Sequence, residues 1–170
     1  MLTWTHRTLD RISHGVNRVA EWLTIALTLV FSIVTTMQVF TRYALEMSLP
    51  WPEETARYAL VWVAFITASI LTRESEHVAV LFFRERIADE RVKRVLLIAI
   101  YLLMTVFVVV LTVYGTVQCI HTIDQRWASV PALSMFWVFL ACPVGGAFML
   151  VQLLKLLFDE VTLALGRGEG

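Results

Sequence analysis

Four long stretches without Asp, Glu, Lys or Arg decide what this chain can fold into. An α-helix needs about 20 apolar residues to cross the roughly 30 Å hydrocarbon core of a membrane. The whole chain is 58% hydrophobic, which is unusual for a soluble domain of 170 residues. We therefore predict an all-α membrane protein that forms a single domain over residues 1–170. The four predicted transmembrane helices cover about residues 22–43, 52–72, 95–121 and 131–155.

The second stretch has an unusual cluster of charges at its start. Within the predicted helix 52–72, the part without charged residues is limited to residues 58–72. At about 1.5 Å per residue this part covers about 22 Å, which is less than the thickness of the membrane core. Glu53, Glu54 and Arg57 must therefore lie at the membrane boundary, with Trp51 as the interfacial aromatic residue. Helical spacing places Arg57 beside both glutamates, and Pro52 suits the first turn of a helix.

Two further segments are predicted to be short amphipathic helices, over about residues 4–20 and 76–87. The first has an apolar stripe at helical spacing, with its arginines outside the stripe. Two interpretations fit it equally: a helix on the membrane surface or on a partner subunit, and a helical extension of the first transmembrane helix. The apolar stripe consists of Leu9, Ile12, Val16, Val19 and Leu23.

The distribution of lysine and arginine predicts the orientation in the membrane. If the amino terminus is cytoplasmic, eleven of these residues lie on the cytoplasmic side and three, Arg42, Arg57 and Arg126, lie outside. Positive charge in short loops favours the cytoplasm. Both termini are therefore predicted to be cytoplasmic, and the Glu53/Glu54/Arg57 cluster faces outward. The basic run at residues 84–94 is interpreted mainly as a solvated loop that sets this topology, with anionic lipid as the alternative.

The four stretches offer little chemistry. Ion-coupled carriers usually place charged groups inside their transmembrane helices, whereas the only ionisable imidazole here is His121, near the end of the third stretch. Haem would need two facing histidines, and we find no completing ligands for a metal site at Cys119 and His121. The second cysteine, Cys142, is predicted to lie too deep to pair with Cys119. We expect no catalytic residue, cofactor or metal, and zero net charge argues against nucleic acid.

Small residues on the fourth stretch predict close helix packing. Ala141 and Gly145 are four residues apart, and Gly146 lies four residues after Cys142. Such spacing lets two helices approach closely, and Pro143 is expected to bend the helix. The pattern alone does not decide between packing inside the chain and packing against a partner.

Three groups of residues recur along the chain in a recognisable order. They are Arg42, Tyr43, Trp51, Glu53, Glu54, Ala56, Arg57, Tyr58 and Trp62, then Arg73, His77, Val78 and Val80, and more loosely Pro131, Trp137, Pro143 and Gly145. These motifs resemble those of a known family, the DctQ-like small membrane subunit of tripartite ATP-independent periplasmic (TRAP) transporters. The similarity covers nearly the whole chain, including four membrane helices and the order of the motifs. The sequence departs from the family at Ser75 and Leu81, where the family commonly has glycine and an acidic residue.

The resemblance implies a function that the residues alone do not supply. It implies a non-catalytic subunit in the bacterial inner membrane that braces a large DctM-like membrane subunit, which holds the substrate and sodium sites. A periplasmic binding protein would deliver a small organic solute. The resemblance leaves two structural interpretations of the Glu53/Glu54/Arg57 cluster: it contacts the large subunit or lipid, or it only caps its own helix. The rival functions are a four-helix membrane redox enzyme and a self-sufficient small homo-oligomeric transporter.

Overall fold

The computed structural model describes the backbone of residues 2–47, 49–84 and 90–166, and the side chains of residues 9–47, 49–74, 92 and 95–162. Its helices are α1 (Leu2–Ala44), α2 (Pro50–Arg84), α3 (Glu90–His121), α4 (Phe136–Phe139) and α5 (Ala141–Gly166). Among the described residues, four segments are long and apolar enough to cross a membrane: one each in α1, α2 and α3, and one that runs through α4 into α5. The prediction of an all-α protein with four membrane-spanning helices is therefore confirmed.

The long helices pack in the order α1, α2, α5, α3. Helix α2 packs against α1 and α5, and α3 packs against α5. The hydrophobic core lies between α3 and α5 and is built around Tyr101, Val108 and Leu153. Helices α1 and α3 therefore form the two edges of the bundle, and they carry most of its large exposed apolar side chains. We call the end with residues 45–49 and 122–135 the loop end, and the opposite end the terminal end.

Helix α1 is continuous over 43 residues, so the predicted amphipathic segment 4–20 extends the first transmembrane helix without a break. At about 1.5 Å per residue the helix is about 64 Å long, twice the thickness of the membrane core. The stripe predicted to be its apolar contact face is largely exposed, since Ile12 and Val19 are both more than half exposed. The face that packs inward uses Ser13, Asn17 and Ala20 instead. Small and polar residues on a buried face are typical of membrane helices.

Helix α2 begins at Pro50, two residues before the predicted start at residue 52. The preceding loop contains Glu46 in the left-handed region, with φ 54°, and Pro50 and Pro52 then open the helix at positions where a missing amide costs nothing. The helix continues through Arg84, so residues 76–84 of the second predicted amphipathic segment belong to α2 and are not a separate helix. Residues 85–87 lie outside the described part of the chain.

The fourth transmembrane helix starts later than the predicted residue 131. Residues 131–135 form turns, and the segment able to cross the membrane begins at Phe136. One residue, Leu140, separates α4 from α5. Pro143 explains this break, because it has no amide to donate to the carbonyl of Phe139 and its ring crowds that carbonyl. Pro143 therefore interrupts the helix near its start, where a bend was predicted.

The small residues of α5 lie against other helices of the same chain. Ala141 is fully buried. A Cβ atom on Gly145 would lie 2.7 Å from the Phe65 Cβ and 2.8 Å from the Phe65 carbonyl oxygen. A Cβ on Gly146 would collide with the Thr112 hydroxyl. The missing side chains at the two glycines thus let α5 approach α2 on one side and α3 on the other.

Candidate functional site

Three side chains on one face of α2 hold the segment that connects α3 to α5. Glu54, Tyr58 and Trp62 are spaced by four residues, so the helix stacks them along a single face. Each of the three contacts a residue between positions 127 and 137. We call Glu54, Tyr58 and Trp62 the α2 clasp.

Glu54 makes the largest number of contacts within the clasp. Its carboxylate accepts hydrogen bonds from the backbone amides of Ala128, at 3.1 Å, and Ser129, at 2.8 Å. The Ser129 hydroxyl donates to the same carboxylate, and the Tyr58 hydroxyl donates to it at 2.7 Å. Hydrogen bonds to an ionised carboxylate are shorter and stronger than neutral ones. Glu54 therefore fixes the backbone of the turn at residues 128–129. Its negative charge is stabilised by hydrogen-bond donors of the same chain.

Tyr58 and Trp62 extend the contact toward the middle of the helix. The ring of Tyr58 packs edge-on against Trp127, with ring centroids 4.5 Å apart. Trp62 donates its indole N–H to the carbonyl oxygen of Trp137 at 2.9 Å. The two aromatic residues bind the start and the end of the connecting segment, so α2 holds that segment at both ends.

The connecting segment also has hydrogen bonds of its own. Arg126 and Ser134 form an isolated antiparallel bridge, and the amide of Met135 donates to the carbonyl of Gln125 at 2.8 Å. The Ser134 hydroxyl donates to the carbonyl of Ile123 at 2.7 Å and accepts from the amide of Phe136, the first residue of α4. The segment is therefore a folded cap on the loop end of the bundle.

The cluster predicted from Glu53, Glu54 and Arg57 separates into two parts. Arg57 pairs with Glu53 at 3.1 Å, and both side chains are well exposed. An exposed pair at this spacing stabilises a helix by about 0.3–0.5 kcal/mol. Glu54 accepts three hydrogen bonds from the connecting segment and one from Tyr58 on its own helix. Within the predicted cluster, Glu53 and Arg57 form the local ion pair.

The remaining motif residues lie apart from the clasp. Arg42 and Tyr43 are exposed at the end of α1, and Trp51 is half-buried in the first turn of α2. At the terminal end, Arg73 Nη2 lies 2.8 Å from Nδ1 and 3.1 Å from Nε2 of His14 on α1. The guanidinium group can donate only to the ring nitrogen that carries no proton. The side chain of His77 lies outside the described residues, so its predicted role stays a prediction.

Sequence reasoning missed the partners of the clasp. Tyr58 was noted only as part of a motif, and Ser129 and Trp127 were not singled out. The four-residue spacing of Glu54, Tyr58 and Trp62 was a usable signal, because a glutamate, a tyrosine and a tryptophan on one face can all bind neighbouring backbone. The position of Ser129 could not be found this way, because it depends on how residues 122–135 fold.

The contacts of the α2 clasp are hydrogen bonds and a contact between two aromatic rings. Both cysteines are free, and their thiols donate to the carbonyls of Phe136 at 3.5 Å and Leu111 at 3.6 Å. Among the described residues, no group of three or more His, Cys, Asp or Glu side chains is placed to hold a metal ion. The geometry of the clasp is that of a structural support.

Comparison with known proteins agrees with this architecture. Residues 31–163 match the family of tripartite ATP-independent periplasmic transporters, DctQ component. The chain belongs to this family. The small permease protein SiaQ of the sialic acid TRAP transporter of Vibrio cholerae is 27% identical to it over 152 residues, covering 89% of this chain and 86% of SiaQ. A putative TRAP transporter small permease protein of Haemophilus influenzae is 32% identical over 69 residues, 41% of this chain and 43% of that protein.

Membership of the DctQ family decides the broad class of function. The chain is a multi-pass membrane protein and a non-enzymatic component of transport. This excludes the rival interpretation of a membrane redox enzyme. The family match includes the whole α2 clasp and the connecting segment, since both lie between residues 31 and 163.

Proposed function

We propose that this DctQ-family chain is the small permease subunit of a sodium-coupled TRAP transporter in the bacterial inner membrane. It braces a large membrane subunit that takes up a small organic solute delivered by a periplasmic binding protein. The family match over residues 31–163 is the observation that carries this proposal. The name of the Vibrio cholerae relative assigns it to a sialic acid transporter. Sialic acid is a small organic acid and falls within the proposed class of solutes.

The exposed edges of the bundle support a bracing role. Helices α1 and α3 carry rows of exposed apolar residues, among them Ile33 at 65% and Leu103 at 70% exposure. Such surfaces are suited to lipid or to another membrane helix. One edge is proposed to pack on the large subunit while the other meets lipid, so the chain would widen the footprint of the complex. In this proposal, the sodium ions that drive transport bind to the large subunit.

The clasp supports the same role from the loop end. A brace has to keep its own shape while its neighbour moves, and the clasp ties α2 to the segment between α3 and α5. Glu54 therefore belongs to the internal support. Glu53, Arg57, Arg42, Tyr43 and Trp51 have surface left for the large subunit or for lipid.

The experiment that tests this function is purification of the tagged chain from its native membrane in mild detergent. Recovery of one large polytopic protein in constant ratio is expected, and solute uptake in liposomes should need the pair plus the binding protein. Sodium-driven uptake by this chain alone would overturn the proposal in favour of a self-sufficient transporter. Recovery of the tagged chain by itself, under conditions that keep other membrane complexes intact, would also count against it.

Variants at the loop end then separate the two roles assigned there. Arg57→Gln removes an exposed charge without touching the clasp, whereas Glu54→Gln weakens the clasp and leaves the exposed pair of Glu53 and Arg57 intact. If the exposed residues bind the large subunit, Arg57→Gln should lower its recovery. If the clasp acts only as internal support, Glu54→Gln should alter the stability of the chain more than the recovery of the partner.

A further inference from the structure

A polar groove lies at the terminal end of the bundle, between α1 and Arg73 of α2. It is an open groove with a volume of about 660 Å³. It is lined by Arg73 and by seven residues of α1, namely Asp10, Arg11, His14, Gly15, Asn17, Arg18 and Glu21. The first uncharged stretch of the chain begins at Trp22. The groove therefore starts within the turn of helix that precedes the hydrocarbon boundary, at the depth of phospholipid headgroups.

The charges in this groove favour an anion. Arg11, Arg18 and Arg73 contribute three guanidinium groups, and Asp10 and Glu21 contribute two carboxylates. Both carboxylates already have partners: Asp10 pairs with Lys155 at 3.3 Å, and Glu21 accepts from the Asn17 amide nitrogen at 2.5 Å. Arg11 and Arg18 are exposed and make no ion pair with any described residue. Planar guanidinium groups with unused donors are well suited to phosphate oxygens.

The side-chain oxygen of Asn17 at the wall of the groove lacks a hydrogen-bond donor among the described residues. The residue lines the groove and is only 8% exposed. Its amide nitrogen is used by Glu21, but its buried oxygen Oδ1 has no hydrogen-bond partner in the described part of the chain. A buried acceptor without a donor destabilises the folded protein. The groove therefore lacks a hydrogen-bond donor next to its arginines.

An apolar track runs directly out of the basic groove. Arg11, Arg18, Trp22, Ile25 and Leu29 follow each other at spacings of seven, four, three and four, so they lie on one face of α1. Trp22 is 68% exposed, and Ile25 and Leu29 are also more than half exposed. A molecule held by its phosphate at the arginines would lay an apolar tail along this track.

We propose that this groove binds one anionic phospholipid whose phosphodiester headgroup carries a hydroxyl donor, as phosphatidylglycerol does. Arg11, Arg18 and Arg73 hold the phosphate, and an acyl chain packs on Trp22, Ile25 and Leu29. The Asn17 side chain turns toward the groove when the lipid binds, so that its Oδ1 accepts from the headgroup hydroxyl. The bound lipid joins the long terminal part of α1 to the membrane surface.

The test is native mass spectrometry of the full chain, purified from its native membrane with any subunit it retains. The probes are phosphatidylglycerol, phosphatidylmethanol, which has the same charge but no hydroxyl, and phosphatidylcholine. The wild type should bind phosphatidylglycerol most tightly. Arg18→Gln should weaken that binding about fivefold, since one arginine near an anionic lipid contributes about that factor. Arg126→Gln, which removes a positive charge at the loop end, is the matched control and should change nothing.

Asn17→Ala tests the hydroxyl contact separately. It should remove the preference for phosphatidylglycerol over phosphatidylmethanol while leaving the preference for both over phosphatidylcholine. Equal binding of all three lipids by the wild type would overturn the proposal, as would an equal loss in Arg126→Gln.

Two further outcomes identify a different occupant. Soluble glycerophosphoglycerol or inorganic phosphate that competes as well as the intact lipid would show an anion site without an acyl contact. Lipid that binds the isolated chain but is excluded from the complex with a large subunit would show that protein covers the groove. Either result overturns the lipid site, and neither bears on the proposed role as a small permease subunit.

Discussion

Glu54 connects two parts of the chain that are 75 residues apart in sequence. Its carboxylate accepts from two backbone amides and two hydroxyls. We predict that Glu54→Gln weakens this connection, because the neutral amide loses the charge that strengthens all four hydrogen bonds. Hydrogen–deuterium exchange should then be faster at the amides of Ala128 and Ser129, and the melting temperature should fall.

The matched control is Glu53→Gln, one residue earlier on the same helix. It removes the same charge but breaks only the exposed pair with Arg57, so the expected change is within about 0.5 kcal/mol. Exchange at Ala128 and Ser129 should stay as in the wild type. Equal acceleration in both variants would show that charge at the start of α2, and not the contact of Glu54, protects the segment.

Gly145 is the second position where one side chain decides a contact. An added Cβ would lie 2.8 Å from the carbonyl oxygen of Phe65, and a backbone atom cannot move aside as a flexible side chain can. We predict that Gly145→Ala destabilises the fold by about 1–3 kcal/mol through overpacking, more than the helix gains from alanine. The measurement is unfolding in detergent, followed by circular dichroism.

Gly15→Ala is the control for that substitution. Gly15 also lies inside a helix, but no atom lies within 4 Å of its ideal Cβ position. Alanine should therefore stabilise by up to about 1 kcal/mol, as expected for an open helical position. The result would contradict the packing argument if both alanine variants shifted stability in the same direction.

At the scale of the helices, a buried polar pair ties α1 to α5. The Ser13 hydroxyl donates to Gln152 Oε1 at 2.5 Å, and Gln152 Nε2 donates to the Ser13 carbonyl at 3.2 Å. Both residues are almost completely buried. Because the partner hydroxyl would remain buried without its acceptor, we predict that Gln152→Leu alone destabilises the fold by about 1–3 kcal/mol.

The double variant Ser13→Ala/Gln152→Leu should recover part of that loss, since it removes both ends of the pair. A double-mutant cycle should give a coupling energy of about 0.6 kcal/mol, the average for hydrogen bonds between membrane helices, and at most about 1.7 kcal/mol. Strict additivity of the two single variants would show that α1 and α5 are held by packing alone.

The helices could be predicted from the sequence much better than the contacts between them. Uncharged apolar runs predict four membrane helices whatever their neighbours are, and Pro50 and Pro52 mark the start of α2. The inward face of α1 was not predictable, because Ser13 and Asn17 are buried by contacts with other helices and not by their own hydrophobicity. The apolar stripe looked like a packing face, but in a membrane an apolar face can equally meet lipid.

The same reasoning explains what could be predicted of the site. Helical spacing placed Glu53 beside Arg57 correctly, because that contact lies within one helix. The partners of Glu54 come from a connection whose fold depends on turns at residues 122–135, and no pattern within α2 refers to them. Local contacts were therefore predictable, and contacts between distant segments needed the structure.

At the scale of the whole molecule, the two ends of the bundle differ in charge and in architecture. The loop end carries the clasp and Arg42, Arg57 and Arg126, whereas Arg11, Arg18, Arg73 and Lys155 lie toward the terminal end among the side chains that the structure describes. From the positive-inside rule we predict that the terminal end is cytoplasmic and that the clasp faces the other side of the membrane. In that orientation the clasp would support the surface nearest to the proposed periplasmic binding protein.

The predicted orientation can be tested by labelling single cysteines that are introduced into a Cys119→Ala/Cys142→Ala background. Cysteine at Gln125, an exposed position at the loop end, should react with a membrane-impermeant maleimide in intact cells whose outer membrane has been made permeable. Arg11→Cys should react only after the inner membrane is also opened, because the positive-inside rule predicts that this end is cytoplasmic. Labelling of Arg11→Cys in intact cells, with Gln125→Cys protected, would reverse the orientation and place the basic groove on the outer face.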